Sequence, residues 1–218
     1  VDDFSLEKIW TSSNLNQKQF NKLNNFFWIL SLDLKSSSSS VQKVISNWIK
    51  LNEKFNTKSW EFDTTSKRII SWLSNSRLTY DNSNDDYKIK FNHLIQKQTI
   101  HLINQIENSK TYYDKLIGSA AVILVGLSFR NDKVFTSKGL EILKKILKTS
   151  LDDLGFPKSR NIKQSIFYLK YLILIREWLK ESQSLIPEFI DENIFYLGQS
   201  YAFFWKNIKI DLLFNGNN

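Results

Sequence analysis

Residues 117–129, IGSAAVILVGLSF, constrain this chain more than any other stretch. They carry no charge, and their only polar side chains are Ser119 and Ser128. A helix that is apolar all round has no face for water and must be enclosed. The run is also too short to cross a bilayer, which takes about 20 apolar residues. It belongs at the centre of a helical assembly. Residues 162–179, with SIFYLKYLILIREWL, read in the same way.

The other apolar segments have helical rather than strand spacing. In SSSSSVQKVISNWIKLNEKF one stripe holds Val41, Val44, Ile45, Trp48, Ile49, Asn52 and Phe55, and the serine run offers an N-cap. Phe91, Leu94, Ile95, Leu102 and Ile106 form a second stripe. Leu140, Leu143, Ile146, Leu147 and Leu151 form a third. The spacing predicts helices over about 6–14, 17–32, 39–55, 64–75, 86–108, 111–129, 136–152, 161–181 and 188–206. Short connections predict antiparallel neighbours. Only NIKIDLLF (207–214) alternates like a strand. The expectation is an all-α domain over 1–206, with 207–218 leading into a β element.

A chain of 218 residues suits one domain and can bury about 70% of its unfolded surface without staples. It has no cysteine, which excludes disulfides, thiolate metal sites and cysteine nucleophiles. It has no methionine either, so VDDFSLEKIW is read as an internal sequence of a longer protein. No uncharged apolar run reaches the length of a membrane span. The net charge of +8 favours acidic partners, such as acidic polysaccharide, nucleic acid or anionic lipid. The cations are dispersed, however, so that charge alone favours a solvated lysine-rich surface over such a partner.

Chemical motifs are sparse. His93 and His101 lie eight residues apart on one helix pattern, too far to share a metal without a third ligand, and read as structural. There is no glycine-rich phosphate loop, no HExxH and no nucleophile elbow. The Asp pairs at 2–3, 85–86 and 152–153 fall at helix ends and read as caps. Nothing in these residues requires a metal or a cofactor. The seven tryptophans are chiefly core candidates. Trp60 is the exception, because TKSWEFDTTSKR is polar and lacks helical pattern, so Trp60 is a candidate platform for a sugar ring. The connector GFPKSRNIKQ (155–164) sets Lys158, Arg160 and Lys163 among Ser159, Asn161 and Gln164. That is more polar chemistry than a helix connection needs.

In order along the chain, four segments resemble the heparinase II/III-like polysaccharide lyases. WEFDTTSKRIISWL supplies Trp60, Asp63, Ser66, Arg68, Ile69 and Trp72. LIGSAAVILVGLSF supplies Val125, Gly126 and Leu127. DDLGFPKSRNIKQSIFYLKYLILI resembles the family's polar loop and the apolar helix after it. FFWKNIKIDLLFNG is similar to the end of the helical domain in alphaproteobacterial members. The resemblance implies an incomplete α/α toroid with a β-sandwich domain after Asn218, acting in the bacterial periplasm or cell envelope.

It also implies β-elimination on uronate-containing polysaccharide. That reaction needs a group to neutralise the uronate carboxylate, a base to take the proton, and an acid for the leaving oxygen. The family's neutralising Asn falls near Tyr113 and Asp114 here, so the amide is absent. Its Tyr base falls at Gln164, and Tyr168 lies one turn further along the same face. Gln164, Tyr168 and Tyr113 are thus weak catalytic candidates, and the family's histidine would come from the β domain. The expected glycan contacts are Arg160, Asn161, Lys158, Ser159 and Arg68, with Trp60 as platform. Arg160 leads because its planar fork fits a carboxylate. The rival readings are a non-catalytic acidic-glycan-binding or scaffold module on the same fold and, less favoured, a basic helical nucleic-acid binder.

Overall fold

The computed structural model describes residues 7–10, 15–33, 37–109, 111–129 and 133–208, with side chains up to 203. It is all-α. A short helix at 7–10 (α1) is followed by α2 (Gln17–Asn24), a 3₁₀ turn (Phe27–Ser31), α3 (Ser38–Asn52), α4 (Phe62–Ser74) and α5 (Ser76–Thr79). Then come α6 (Asp85–Gln105), a 3₁₀ turn (Ile106–Asn108), α7 (Tyr112–Ser128), α8 (Lys133–Ser150), α9 (Ile162–Glu181) and α10 (Glu188–Ile208). No described residue belongs to a strand, and an isolated bridge joins Leu151 to Pro157. The strand-like stretch at 207–214 lies, from residue 209 onward, outside the described residues. No helix among the described residues is long and apolar enough to cross a membrane.

Local chemistry starts most of these helices. The amides at each first turn have no helical partner and need an acceptor. Asn16 caps α2 in a reciprocal box with Gln19, Ser37 caps α3, Asn84 caps α6, Thr111 caps α7 and Asn161 caps α9. Asp85 and Asp86 occupy the first turn of α6, as their pairing predicts. Glu61 caps α4 by accepting from the amides of Asp63 and Thr64. That cap sits inside the TKSWEFDTTSKR stretch, so the segment that looked irregular contains a helix start.

α7 is the hub. Leu116 through Gly126 are all buried, and α7 packs against α4, α6, α8 and α9. Its closest partner is α8. A Cβ on Gly139 of α8 would lie 2.6 Å from Ile123 Cγ1 and 2.9 Å from the Ile123 amide nitrogen. A Cβ on Gly126 of α7 would lie 2.3 Å from the Thr136 nitrogen. Only a missing side chain at both positions lets the two backbones meet. α9 departs from its all-round apolar reading. It buries Tyr168, Tyr171, Leu172, Ile175 and Leu179 on one face and leaves Ile173 43% exposed.

A second core layer is aromatic. The Phe26 ring stands 5.0 Å from Trp72, 5.4 Å from Trp10 and 5.8 Å from Trp48, and Trp72 stacks on Phe91 at 5.3 Å. This layer explains the break in the helix expected over 17–32. Phe26 takes a left-handed backbone with φ of 57°. Asn25 Oδ1 accepts from the Phe27 amide, Ser71 Oγ donates to the Phe26 carbonyl, and the Phe26 ring is fully buried. Enclosing that ring outweighs continuing the helix. Phe55, placed on the α3 stripe by periodicity, lies beyond the helix end and is 60% exposed.

The contrast between two glycines tests the α7–α8 contact. Gly139→Ala should destabilise the fold by about 1–3 kcal/mol, because its methyl group meets backbone. Gly198→Ala in α10 meets nothing within 4 Å and should be neutral or stabilising by up to about 1 kcal/mol. Thermal unfolding of both variants measures the difference.

Candidate functional site

The connector between α8 and α9 is a built structure rather than a free loop. Gly155 takes φ of 71°, which closes the turn. The Asp152 amide donates to the Phe156 carbonyl and the Lys158 amide to the Ser150 carbonyl, both at 2.9 Å. Asp152 organises the interior. Its Oδ1 accepts from the amides of Leu154 and Phe156, and its Oδ2 accepts from Arg160 Nη1 at 2.5 Å. These bonds, that from the Phe156 amide first, hold the Asp152 carboxyl below its ordinary pKa of 3.8. Arg160 has φ of 56°, and its guanidinium lies 5.7 Å from the Phe156 ring centre. The residue expected to lead glycan binding is therefore committed first to closing its own loop, although 67% of its side chain is exposed.

The polar residues after it form a relay. Ser159 Oγ donates to Gln164 Oε1 at 2.6 Å, and Gln164 Nε2 donates to the Tyr168 hydroxyl at 3.0 Å. Asn161 accepts from the Lys163 amide and so serves as the α9 cap. Tyr168 is fully buried, and burial raises its phenol pKa above 10.0 despite its hydrogen bonds with Ser150 and Gln164. Gln164 is 4% exposed. Neither could meet a polymer on the surface. Tyr113 is half-buried, edge-on to Phe167 at 4.9 Å, and burial raises its pKa as well.

Arg68 and Trp60 belong elsewhere. Arg68 is 0% exposed. It donates to the carbonyls of Asn24 at 2.8 Å and Ser59 at 3.0 Å, to Thr65 Oγ1 at 3.1 Å and to Gln98 Oε1 at 3.3 Å. Its guanidinium covers the Trp48 ring at 4.1 Å. It has no ion-pair partner among the described residues, and burial lowers its pKa to about 9. It ties α2, α4 and α6 together and offers no surface to a glycan, which overturns its reading as an anion contact. Trp60 is 5% exposed and donates from Nε1 to the Asn52 carbonyl. Instead of an open platform it forms part of the wall of a cavity of about 280 Å³, with Phe55, Phe62 and His101. His101 packs 5.7 Å from the Trp60 ring, and burial lowers its pKa. His93 is exposed.

Lys158, among the expected contacts, bonds a residue that lines another cavity. Its Nζ donates to the Thr149 carbonyl at 3.2 Å. Thr149 lines a cavity of about 200 Å³ with Tyr112, Lys115, Lys145 and Glu107, above a floor of Ile106, Ile142 and Ile146. Tyr112 is 44% exposed, so an aromatic wall stands open to solvent. Lys145 Nζ bonds Glu107 Oε1 at 2.7 Å, and Lys115 Nζ donates to the Glu107 carbonyl at 3.2 Å. The bond from Lys145 is the main reason that the Glu107 carboxyl titrates below its usual 4.5. Chemically this is a small wall-and-floor pocket with a surplus of ammonium groups at its rim. Sequence reasoning missed Tyr112, Lys115 and Lys145. The available signal was the lysines of KKILK at 144–148, which flank the apolar stripe of α8 and read as an ordinary solvated face. Among the described residues no three acidic or histidine side chains stand close enough to hold a metal. No family model, no curated protein and no solved structure matches this chain.

Two variants test these placements. Arg68→Ala should lower stability by about 2–5 kcal/mol, since it opens a cavity and strands two buried carbonyls; denaturant unfolding measures it. Asp152→Asn should speed hydrogen exchange at Leu154 and Phe156 near neutral pH. The Asp152 contribution exists above pH 3.8 and is lost as pH falls through the lower native value, so the two proteins should converge in acid.

Proposed function

We propose that this chain is a helical domain that binds acidic polysaccharide, with its site at the pocket between Tyr112 and Lys145. The carrying observation is the company kept by Tyr112. An exposed aromatic ring stands with Lys115, Lys145 and Thr149, and Lys158 reaches the Thr149 carbonyl from the neighbouring connector. Sugar rings present apolar faces that pack on aromatic side chains, and their carboxylates or sulfates need cations. The resemblance of the chain to heparinase II/III-like lyases supplies the same ligand class. On this reading the helices are the helical part of an incomplete α/α toroid, and the ligand belongs to the bacterial envelope or surroundings.

Binding without catalysis is the reading the burial pattern favours. Gln164 and Tyr168 are enclosed, and no amide stands at the position of Tyr113 and Asp114. A second reading, lyase activity within a longer chain, draws support from Tyr113. Its partly open phenol directly follows Tyr112 and could work with groups from a further domain, which would carry the remaining acid-base chemistry.

Calorimetric titration with oligouronates tests the proposal. The chain should bind them and bind a neutral glucan at least tenfold more weakly. Lys115→Glu with Lys145→Glu should reduce oligouronate affinity at least tenfold, and Tyr112→Ala by about fivefold. Equal affinity for the neutral glucan, or indifference to these substitutions, overturns the reading. Ultraviolet absorbance of an unsaturated product, lost in Tyr113→Phe, would select the lyase reading. Tighter binding to duplex DNA than to any glycan, with a steep salt dependence, would replace both.

A further inference from the structure

A recess of different chemistry lies across the 3₁₀ turn Ile106–Asn108 from the Tyr112 pocket. Ile106 and Glu107 line that pocket, whereas Gln105, Asn108 and Ser109 line the cavity of about 280 Å³ that Trp60 backs. Its other walls are Phe55, Thr57, Phe62 and His101. The loop before α4 is built to hold them. Asn56 Oδ1 accepts from the amides of Lys58 at 2.9 Å and Ser59 at 3.2 Å, and the Asn56 carbonyl accepts from the Trp60 amide at 2.9 Å. Trp60 Nε1 donates back to the Asn52 carbonyl, and Arg68 holds the Ser59 carbonyl. Phe55 is carried on this loop, with its ring 5.3 Å from His101 and 6.0 Å from Trp60. The ring is thus held in place although most of it is exposed.

A lone exposed phenylalanine needs no explanation. The surroundings of this one give it a use. None of the residues lining the cavity is an acid, a lysine or an arginine, in a chain where 24% of residues are. Burial lowers the pKa of His101 from 6.5 against the pull of a hydrogen bond to the Trp60 backbone, so the imidazole is neutral near pH 7. The side chains of Thr57, Gln105 and Asn108 are exposed at the rim and bond no protein group among the described residues. They differ in this from the connector 155–164, whose polar residues satisfy one another. The rim therefore offers two amides and a hydroxyl, each both donor and acceptor, beside an open aromatic face.

We infer that this cavity binds an uncharged sugar ring. The apolar face of the ring packs on Phe55, and its hydroxyls exchange hydrogen bonds with Thr57, Gln105 and Asn108. An anion would find no cation in the lining. An organic cation would find no carboxylate there, in a chain of net charge +8. A flat aromatic ligand gains most between two parallel rings. Phe55, Trp60 and His101 instead meet at 52°, 73° and 76°, which leaves an open face rather than a slot. The volume suits a single ring, since it falls just below the range of about 300–1,000 Å³ typical of ligand sites. The inference does not rest on the acidic-polysaccharide reading of the Tyr112 pocket.

The test is a titration of the full chain, followed by amide chemical shifts. The probes are methyl glucoside, methyl galactoside, N-acetylglucosamine, glucuronate, glucosamine and uracil. At least one of the three uncharged sugars should bind with Kd below about 20 mM, at least fivefold tighter than glucuronate, glucosamine or uracil, with shifts centred on residues 55–62 and 101–109. Phe55→Ala should weaken that sugar at least fivefold, and Phe55→Trp, which keeps an aromatic face, should retain it. Gln105→Ala with Asn108→Ala, both at exposed positions, should weaken it at least fivefold while thermal unfolding stays unchanged. Lys115→Glu with Lys145→Glu should leave it untouched, so the two sites stand or fail separately. A charged sugar or uracil binding within fivefold of the best uncharged sugar overturns the proposal. So does full affinity in Phe55→Ala or in the double amide variant, or no uncharged sugar binding below about 20 mM.

Discussion

Everything in this molecule is arranged around a helix that has no polar face. α7 carries eleven consecutive buried residues, Leu116 through Gly126, so each direction around it must be filled by another helix. α4, α6, α8 and α9 fill them, which makes the fold a problem of surrounding one rod. Gly126 and Gly139 show how tight the solution is, because α8 lies where a single methyl group would collide with backbone. The polar positions of the surrounding helices are pushed outward and toward the helix ends. The Tyr112 pocket lies there.

A buried cation holds the other half of the core. Arg68 is enclosed without a carboxylate, which is costly unless its donors are met. They are met by carbonyls at Asn24 and Ser59 and by side-chain oxygens of Thr65 and Gln98, with the Trp48 ring beneath the guanidinium. Each acceptor comes from a different point along the chain, so the residue fixes their relative positions. The stretch around Trp60 that looked like a sugar platform is part of the same construction. Its Thr64, Thr65 and Ser66 are buried on α4 along with Arg68, as is Ser71 further along the helix.

The all-α class was legible because periodicity and caps are local. The serine run does cap α3, at Ser37, while Asn161, expected as a glycan contact, caps α9. The break at Asn25 and Phe26 was not legible, because its cause is an aromatic ring finding Trp10, Trp48 and Trp72 from distant segments. Arg68 failed for a related reason. An arginine among serines and threonines looks exposed until the opposite helices are known, and nothing in SKRIISW distinguishes a guanidinium under a tryptophan from one in water. The density of polar groups in 155–164 was read as the mark of a glycan-contact loop. Most of that density serves the loop itself, through Asp152, Arg160 and the Ser159–Gln164–Tyr168 relay.

The groups left for a ligand were hidden by the same logic. Tyr112 and Lys145 are far apart in sequence and individually ordinary. A solvated lysine face and a ligand-binding rim have identical local patterns. What separates them is whether a second helix brings further cations, hydroxyls or an aromatic ring to the same recess. The connector shows the converse, since polar residues close in sequence tend to find one another first. Arg160 meets Asp152 eight residues away, and Ser159 meets Gln164 five residues away. A binding surface built on this fold is therefore better sought where two helices face each other with unmatched charge than where the sequence concentrates its polar residues.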